Sequence, residues 1–262
     1  MPIIKARSHR DVYRLRAESG DIHELSGRGA DRATTELVTR EIAGHLGLDA
    51  ASRADLLDIG CGDGSMVVML APLVRRAVGI APSHEEIKRL RSHHKGVAVE
   101  FLEGLAEDLP LPDASFDRII MHGVVTILPS TEIVVRALAE VKRIARPGGL
   151  IWIGSLPDRD EAAFYGRTYG DSITGWLWFV LRRQGLRAAW RATRRVLSAL
   201  VSSEPLVIQP KELYVCPPEC FRAMAEEQGL EVLWQGRVRT LAPTGQAAES
   251  ETRFNFLLRR PD

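Results

Sequence analysis

The chain has 262 residues, a formal net charge of +1, 45% apolar side chains and 26% charged ones. That composition supports a sizeable core in one large domain, with or without an inserted piece, and excludes a chain drawn to nucleic acid by bulk charge. Three cysteines (Cys61, Cys216, Cys220) make no disulfide framework, the N-terminal residues lack the apolar core of a secretion signal, and no apolar run is long enough to span a bilayer, so a cytoplasmic protein is expected.

In chain order, residues 1–30 are polar and glycine-bearing and read as an N-terminal arm. Residues 31–47 place Leu37, Val38, Ile42 and Leu46 at helical spacing and end on Gly47. An alternation follows. Apolar runs at 54–60, 77–81, 97–104, 116–123 and 149–156 read as buried parallel strands, and the stretches SMVVMLAPLV, SHEEIKRLRSHH and TEIVVRALAEVKRIA between them read as helices. The last carries Ile133, Val134, Ala137, Leu138, Val141 and Ile144 as one apolar stripe and is expected to stop at Pro147-Gly148-Gly149. The alternation predicts an α/β fold, a doubly wound parallel sheet whose ligands bind beyond the carboxyl ends of the strands, where the winding reverses. It breaks at Pro157. Residues 158–212 read as a helical insertion, 217–230 as a helix, and 231–240 and 252–261 as two closing strands. The core is therefore expected at 31–157 and 213–262.

Residues 56–66, LLDIGCGDGSM, put Gly60, Gly62 and Gly64 between a strand and a helix. Glycines there let the backbone turn tightly and approach a ligand. The spacing G-x-G-x-G, with Asp58 and Asp63 beside it, disfavours a dinucleotide pyrophosphate and suits a cation. Cys61 reads as a small filler of the turn.

This D-x-G-x-G-x-G segment resembles motif I of the class I S-adenosylmethionine-dependent methyltransferases. Residues 103–117, EGLAEDLPLPDASFD, resemble that family's segment after the third strand, and 137–152, ALAEVKRIARPGGLIW, its Pro-Gly-Gly turn before strand five. The resemblance implies a Rossmann-like seven-stranded sheet, mostly parallel, with an antiparallel C-terminal pair and a helical lid at 158–212. It implies S-adenosylmethionine as cofactor, with S-adenosylhomocysteine as product. Asp58, Gly60, Cys61, Gly62 and Gly64 would face its methionine part, Ala81 and Pro82 its ribose, Leu105, Ala106 and Glu107 its adenine, and His122 its sulfonium side. His122 is the expected general base.

Two positions depart from the family pattern. Ala81 stands where an Asp or Glu usually holds the ribose hydroxyls, and Leu105 where an Asp usually reaches the adenine amino group. A hydrogen bond to a charged partner is worth roughly 1.5–3 kcal/mol, so an uncompensated double loss would weaken binding on the order of a hundredfold or more. Ser83, Glu85 and Glu86 are candidates to supply the ribose contact from the next turn. The expected function is O-methylation of a metabolite, sugar or lipid-linked intermediate, since no N-P-P-[YF] motif for amino-group chemistry follows strand four. The alternative is a methyltransferase-fold scaffold that has lost the reaction.

The remaining features are weaker. Tyr165, Tyr169 and Tyr214 flank the insertion as pocket candidates, with Tyr13, Arg28 and Asp31 as arm residues that close over the cofactor. His93 and His94 read as solvated. Cys216 and Cys220 lack partners for a metal site, so none is expected. Residues 176–201 carry six arginines and no acid, with Arg187, Arg191, Arg194 and Arg195 on one helical face and Leu186, Trp190, Thr193, Leu197 and Leu200 on the other. Trp176, Trp178 and Phe179 are expected to form an apolar roof. Such a basic amphipathic helix suits a lid, with peripheral lipid contact as a second use. The partner is expected to be a small molecule and not nucleic acid.

Overall fold

The computed structural model describes residues 3–5, 11, 22–25, 32–158, 206–208, 213–242 and 245–262, with short helical pieces at 177–178, 180–182, 185–187, 189–190 and 193–194. Seven strands make the main sheet: β1 Asp55–Ile59, β2 Arg76–Ala81, β3 Glu100–Glu103, β4 Phe116–His122, β5 Ala145–Pro157, β6 Glu231–Leu241 and β7 Ala247–Arg259. Their order is β3-β2-β1-β4-β5-β7-β6. The first five run parallel, and β7 pairs antiparallel with both β5 and β6. The winding reverses between β1 and β4, which puts the switch point beside the glycine turn.

Alternation along the strands builds a core on each side of the sheet. Leu57, Ile59, Val78, Ile80, Ile119 and Met121 point to one face, under the helices α4 (Thr131–Ile144) and α5 (Pro218–Glu227). Leu56, Ile120, Trp152 and Leu257 point to the other, under α1 (Arg32–His45) and α2 (Ser65–Leu70). Ala77, Ala81 and Phe101 pack with Ile87 and Leu90 of α3 (His84–His93) and with Ile22 and Leu25 of a 3-10 turn, Ile22–Leu25.

Three expectations change. The helix α4 ends at Ile144, before Pro147, and β5 already begins at Ala145. Arg146 precedes a proline and is pushed to extended backbone, so the helix stops ahead of the Pro-Gly-Gly turn. The insertion is not wholly helical: Leu206–Ile208 is a strand, paired in parallel with Ile3–Lys5 of the arm. The apolar roof is also not seen at Trp178, which is 51% exposed, like Leu186 at 79% and Trp190 at 61%. The guanidinium groups of Arg182 and Arg194 lie over the Trp178 and Trp190 rings at 4.9 and 4.8 Å. Trp176, Phe179, Tyr165, Tyr169, Tyr13, Arg28, Asp31, Arg191, Arg195, Leu197 and Leu200 lie outside the described residues. Among the described residues no helix is long and apolar enough to cross a membrane, and no cluster of three or more His, Cys, Asp or Glu side chains is placed to hold a metal.

Candidate cofactor and acceptor site

The loop after β1 needs its glycines. Gly60, Gly62 and Gly64 have φ of 68, 59 and 77°, the left-handed region that side chains resist. A Cβ on Gly60 would also run into Val124 of the segment after β4, so the two loops at the switch point lie in direct contact. The backbone N–H of Cys61 donates to Ile80 O at 2.9 Å, which ties the loop to β2. The Cys61 thiol is buried over Gly79, where a Cβ would come within 3.0 Å of it. Burial, and then the charges of Asp58, Glu86 and Asp63, push that thiol well above its ordinary pKa, so it is a filler and not a nucleophile.

The two acids of the turn are used differently. Asp63 Oδ1 accepts from the Ser65 N–H at 3.0 Å and so fixes the turn that leads into the short helix α2. Asp58 is buried on β1, on the sheet face of α1, just below the turn. His94 is not the solvated side chain expected of it. Its Nε2 lies 2.7 Å from Asp63 O, and its ring stacks on Phe101 at 5.7 Å, so α3 anchors the glycine loop from behind.

Beyond β2, Ala81 is buried and Pro82 half-buried. Ser83 caps α3: its hydroxyl accepts from the Glu86 N–H at 3.3 Å and donates to Glu86 Oε1 at 2.8 Å. Glu85 is exposed. Glu86 is buried, and burial pushes its carboxyl up to about 7, opposed by the Ser83 hydrogen bond and assisted by the charge of Glu85. After β3, Leu105 and Asp108 close a tight turn by reciprocal backbone hydrogen bonds of 3.3 and 3.1 Å, with Ala106 buried and Glu107 half-buried within it. Glu140 and Arg143 of α4 pin the following residues: Leu109 N–H donates to Glu140 Oε2 at 2.9 Å, and Arg143 donates to Leu111 O at 2.8 Å.

His122 ends β4 on the same face as Asp58. Its Nδ1 accepts from the Trp152 indole N–H at 3.3 Å, and its ring occupies the place a Cβ on Gly154 would take. With Nδ1 engaged as acceptor, the neutral ring carries its proton on Nε2. Farther along this row the sheet bulges between Ile153 and Leu156, and Ser155 has a positive φ of 64°. Ser155 N–H donates to the buried Asn255 Oδ1 at 3.0 Å. The Asn255 side chain also hydrogen-bonds Glu41 of α1, whose Oε2 is buried with no hydrogen-bond partner and whose carboxyl burial pushes upward. One turn below Glu41, His45 packs on Trp234 and Trp152 at ring distances of 4.1 and 5.2 Å. Nothing in the sequence singled out Glu41 or Asn255. Each is polar within an otherwise apolar pattern, and that signal is visible only once the helix phase and the bulge are known. Tyr214 is set apart from this row. Its hydroxyl lies 3.0 Å from Thr131 Oγ1, at the start of α4.

Residues 57–153 match the model of a methyltransferase domain, and they contain the glycine turn, the turn after β3 and His122. This part of the chain is a match to a methyltransferase domain. Its relatives include a fatty-acid O-methyltransferase of Mycolicibacterium smegmatis, 34% identical over 129 residues, 47% of this chain and 46% of that protein. Another is the 27-O-demethylrifamycin SV methyltransferase of Amycolatopsis mediterranei, 37% identical over 131 residues, 48% of this chain and 46% of that protein. The chain thus spans about half the length of the curated relatives it matches. Among solved structures, the N-methyltransferase NodS of Bradyrhizobium japonicum, in complex with S-adenosyl-l-homocysteine, superposes with a TM-score of 0.59 at 16% identity, covering 96% of this chain and 98% of its own. The 4+2 cyclase SpnF superposes with a TM-score of 0.61 at 17% identity, covering 99% and 98%. At such identity the two structures bear on the fold alone, and they agree on it for the methyltransferase domain together with its closing strands.

Proposed function

We propose that this protein transfers the methyl group of S-adenosylmethionine to an oxygen of a small-molecule acceptor. The observation that carries the reading is the loop of three left-handed glycines at the switch point, where a Cβ on Gly60 or Gly64 would strike Val124 or His94, above the buried Asp58. Its shape and charge fit the amino-acid end of that cofactor. In this reading Asp58 and the backbone of Gly60, Cys61, Gly62 and Gly64 hold the methionine part, Ala81 and Pro82 border the ribose, and Leu105, Ala106 and Glu107 form the adenine turn. Bound there, the cofactor supplies an activated methyl group and a neutral leaving group. Similarity to the relatives named above, whose names specify oxygen as the methylated atom, supports an O-methylation.

The chain's own task is to align the acceptor oxygen and take its proton. His122 orients the acceptor through an Nε2–H donor, because its other nitrogen is engaged by Trp152. Glu41 receives the proton, since a carboxyl raised by burial is a better base than an exposed one. This moves the base role from the histidine, where the sequence suggested it, to α1.

The test is incubation with methyl-labelled S-adenosylmethionine and, separately, 3,4-dihydroxybenzoate, octanoate and an organic-soluble cell extract. Label in an extractable product, matched by S-adenosylhomocysteine, is the expected outcome. Cofactor binding by calorimetry with no label in any acceptor fraction would favour the second reading, a scaffold that kept the fold, which Ala81 and Leu105 motivate. The exposed indoles and arginines between 178 and 194 bear on the acceptor's source: in this reading the insertion rests on anionic lipid and passes an apolar acceptor inward.

A further inference from the structure

We propose that Glu86, one helical turn beyond the alanine that ends β2, binds the ribose hydroxyls of the S-adenosyl group. The inference rests on cofactor use by the glycine loop, and it assigns to this residue the role that Ala81 leaves open.

Three side chains after β2 are chemically able to do this, and the structure separates them. The Ser83 hydroxyl is committed as helix cap, accepting from one N–H and donating to one carboxylate oxygen. Glu85 is exposed. Glu86 is 2% exposed, and its second oxygen has no hydrogen bond to any described residue. As the third residue of the helix it belongs to a capping box, whose side chain folds back over the helix start toward the strand end. Its charge acts on the buried Cys61 thiol, so the carboxyl lies near the glycine loop. Ala81 is 1% exposed. A side chain that ends at Cβ has no group to offer a hydroxyl, so a carboxylate for the ribose has to come from the next turn.

A buried carboxyl with one hydrogen bond is costly to keep, and a carboxylate accepting two hydroxyl protons would recover that cost on binding. Among the described residues no cation acts on it. The charge felt by Glu86 is that of Glu85 on its own helix, Asp58 and Asp63 lie across Cys61 in the loop, and the 3-10 turn packed against α3 presents the apolar Ile22 and Leu25. Its carboxyl stands at about 7, so the binding-competent carboxylate becomes the main form as pH rises past neutrality.

The experiment is calorimetry with S-adenosylhomocysteine and with its 2′,3′-dideoxyribose analogue, against wild type, Glu86→Gln and the double variant Ala81→Asp/Glu86→Gln. Wild type should prefer the ribose form about tenfold or more. Its affinity should rise between about pH 6 and 8, with proton release on binding. Glu86→Gln should lose both the preference and the pH dependence while binding the dideoxy analogue as wild type does. Ala81→Asp should restore the preference in that background. Preference retained in Glu86→Gln would overturn the assignment. Wild type binding neither compound would remove the cofactor reading, and this inference with it, a result distinct from cofactor binding that is indifferent to Glu86.

Discussion

Glu86 has consequences for stability as well as for binding. Its folded pKa is raised to about 7 from an ordinary 4.5, so the folded chain holds a proton that the unfolded chain releases. Stability from this group is fully present below the unfolded value and is lost as pH rises through the folded one. Replacing it with glutamine, which needs no proton, should stabilise the protein at pH 8 by up to about 3 kcal/mol and change little near pH 4. Thermal unfolding of the two proteins at both pH values checks this. A gain of equal size at both would mean that the carboxyl is not desolvated. An acid retained at such a cost is one that function accounts for better than folding does. His122 shows the same scale from the other side. The sequence marks it by type and position at the end of a strand, but the hydrogen bond from Trp152, thirty residues away, sets which nitrogen carries the proton.

The elements themselves depend on contacts of different range. At the amino ends of the strands, Asp55 receives hydrogen bonds from Arg75 at 3.0 and 2.5 Å and from Arg146 at 3.0 Å, and Arg146 also donates to Asp117 at 2.6 Å. The Arg75 hydrogen bonds, with those of Arg146 behind them, hold the Asp55 carboxyl below its usual range. Such a group stabilises above its unfolded pKa and ceases to as pH falls through its folded one. Asp55→Asn should therefore cost about 1.5–3 kcal/mol at pH 7, a gap that closes as pH falls through the lowered pKa of Asp55. Urea unfolding at neutral and at acid pH reads it directly, and a gap that persists in acid would point to packing rather than charge. Much of the element pattern was legible in the sequence because it is local. The stripe of Val134, Ala137, Leu138, Val141 and Ile144 is buried as its spacing implied, and the glycine turn sits between strand and helix. What was not legible is long-range. Thr35 and Thr39 turn inward on α1, where Thr39 Oγ1 bonds back to Thr35 O at 2.7 Å. The strand Leu206–Ile208 exists only because Ile3–Lys5 pairs with it. His94 gains its role from a carbonyl thirty-one residues away. The carboxylate missing at 81 could be noticed in the sequence, but choosing its replacement among Ser83, Glu85 and Glu86 required knowing which one the helix buries.

At the scale of the molecule, the sheet's carboxyl edge gathers the glycine loop, His122 and the Glu41–Asn255 pair, while Trp178, Leu186 and Trp190 of the insertion after β5 are exposed. Of the large apolar side chains exposed among the described residues, Trp178, Leu186 and Trp190 fall here, and arginines stack on both indoles. Indoles and guanidinium groups together suit the interface of an anionic bilayer, where the ring enters the headgroup layer and the charge meets phosphate. With a formal net charge of only +1, the rest of the surface adds little general attraction. Binding should therefore be local to this segment. The protein should float with vesicles of phosphatidylglycerol and phosphatidylcholine but stay in solution with phosphatidylcholine alone. Trp178→Ala/Trp190→Ala should weaken flotation at every salt concentration by removing the inserted rings. Arg182→Gln/Arg194→Gln should weaken it mainly at low salt, where electrostatic attraction is least screened. If neither pair of substitutions alters flotation, or if wild type never leaves the aqueous fraction, these indoles serve another purpose, and an apolar acceptor would have to reach the sheet edge from free solution.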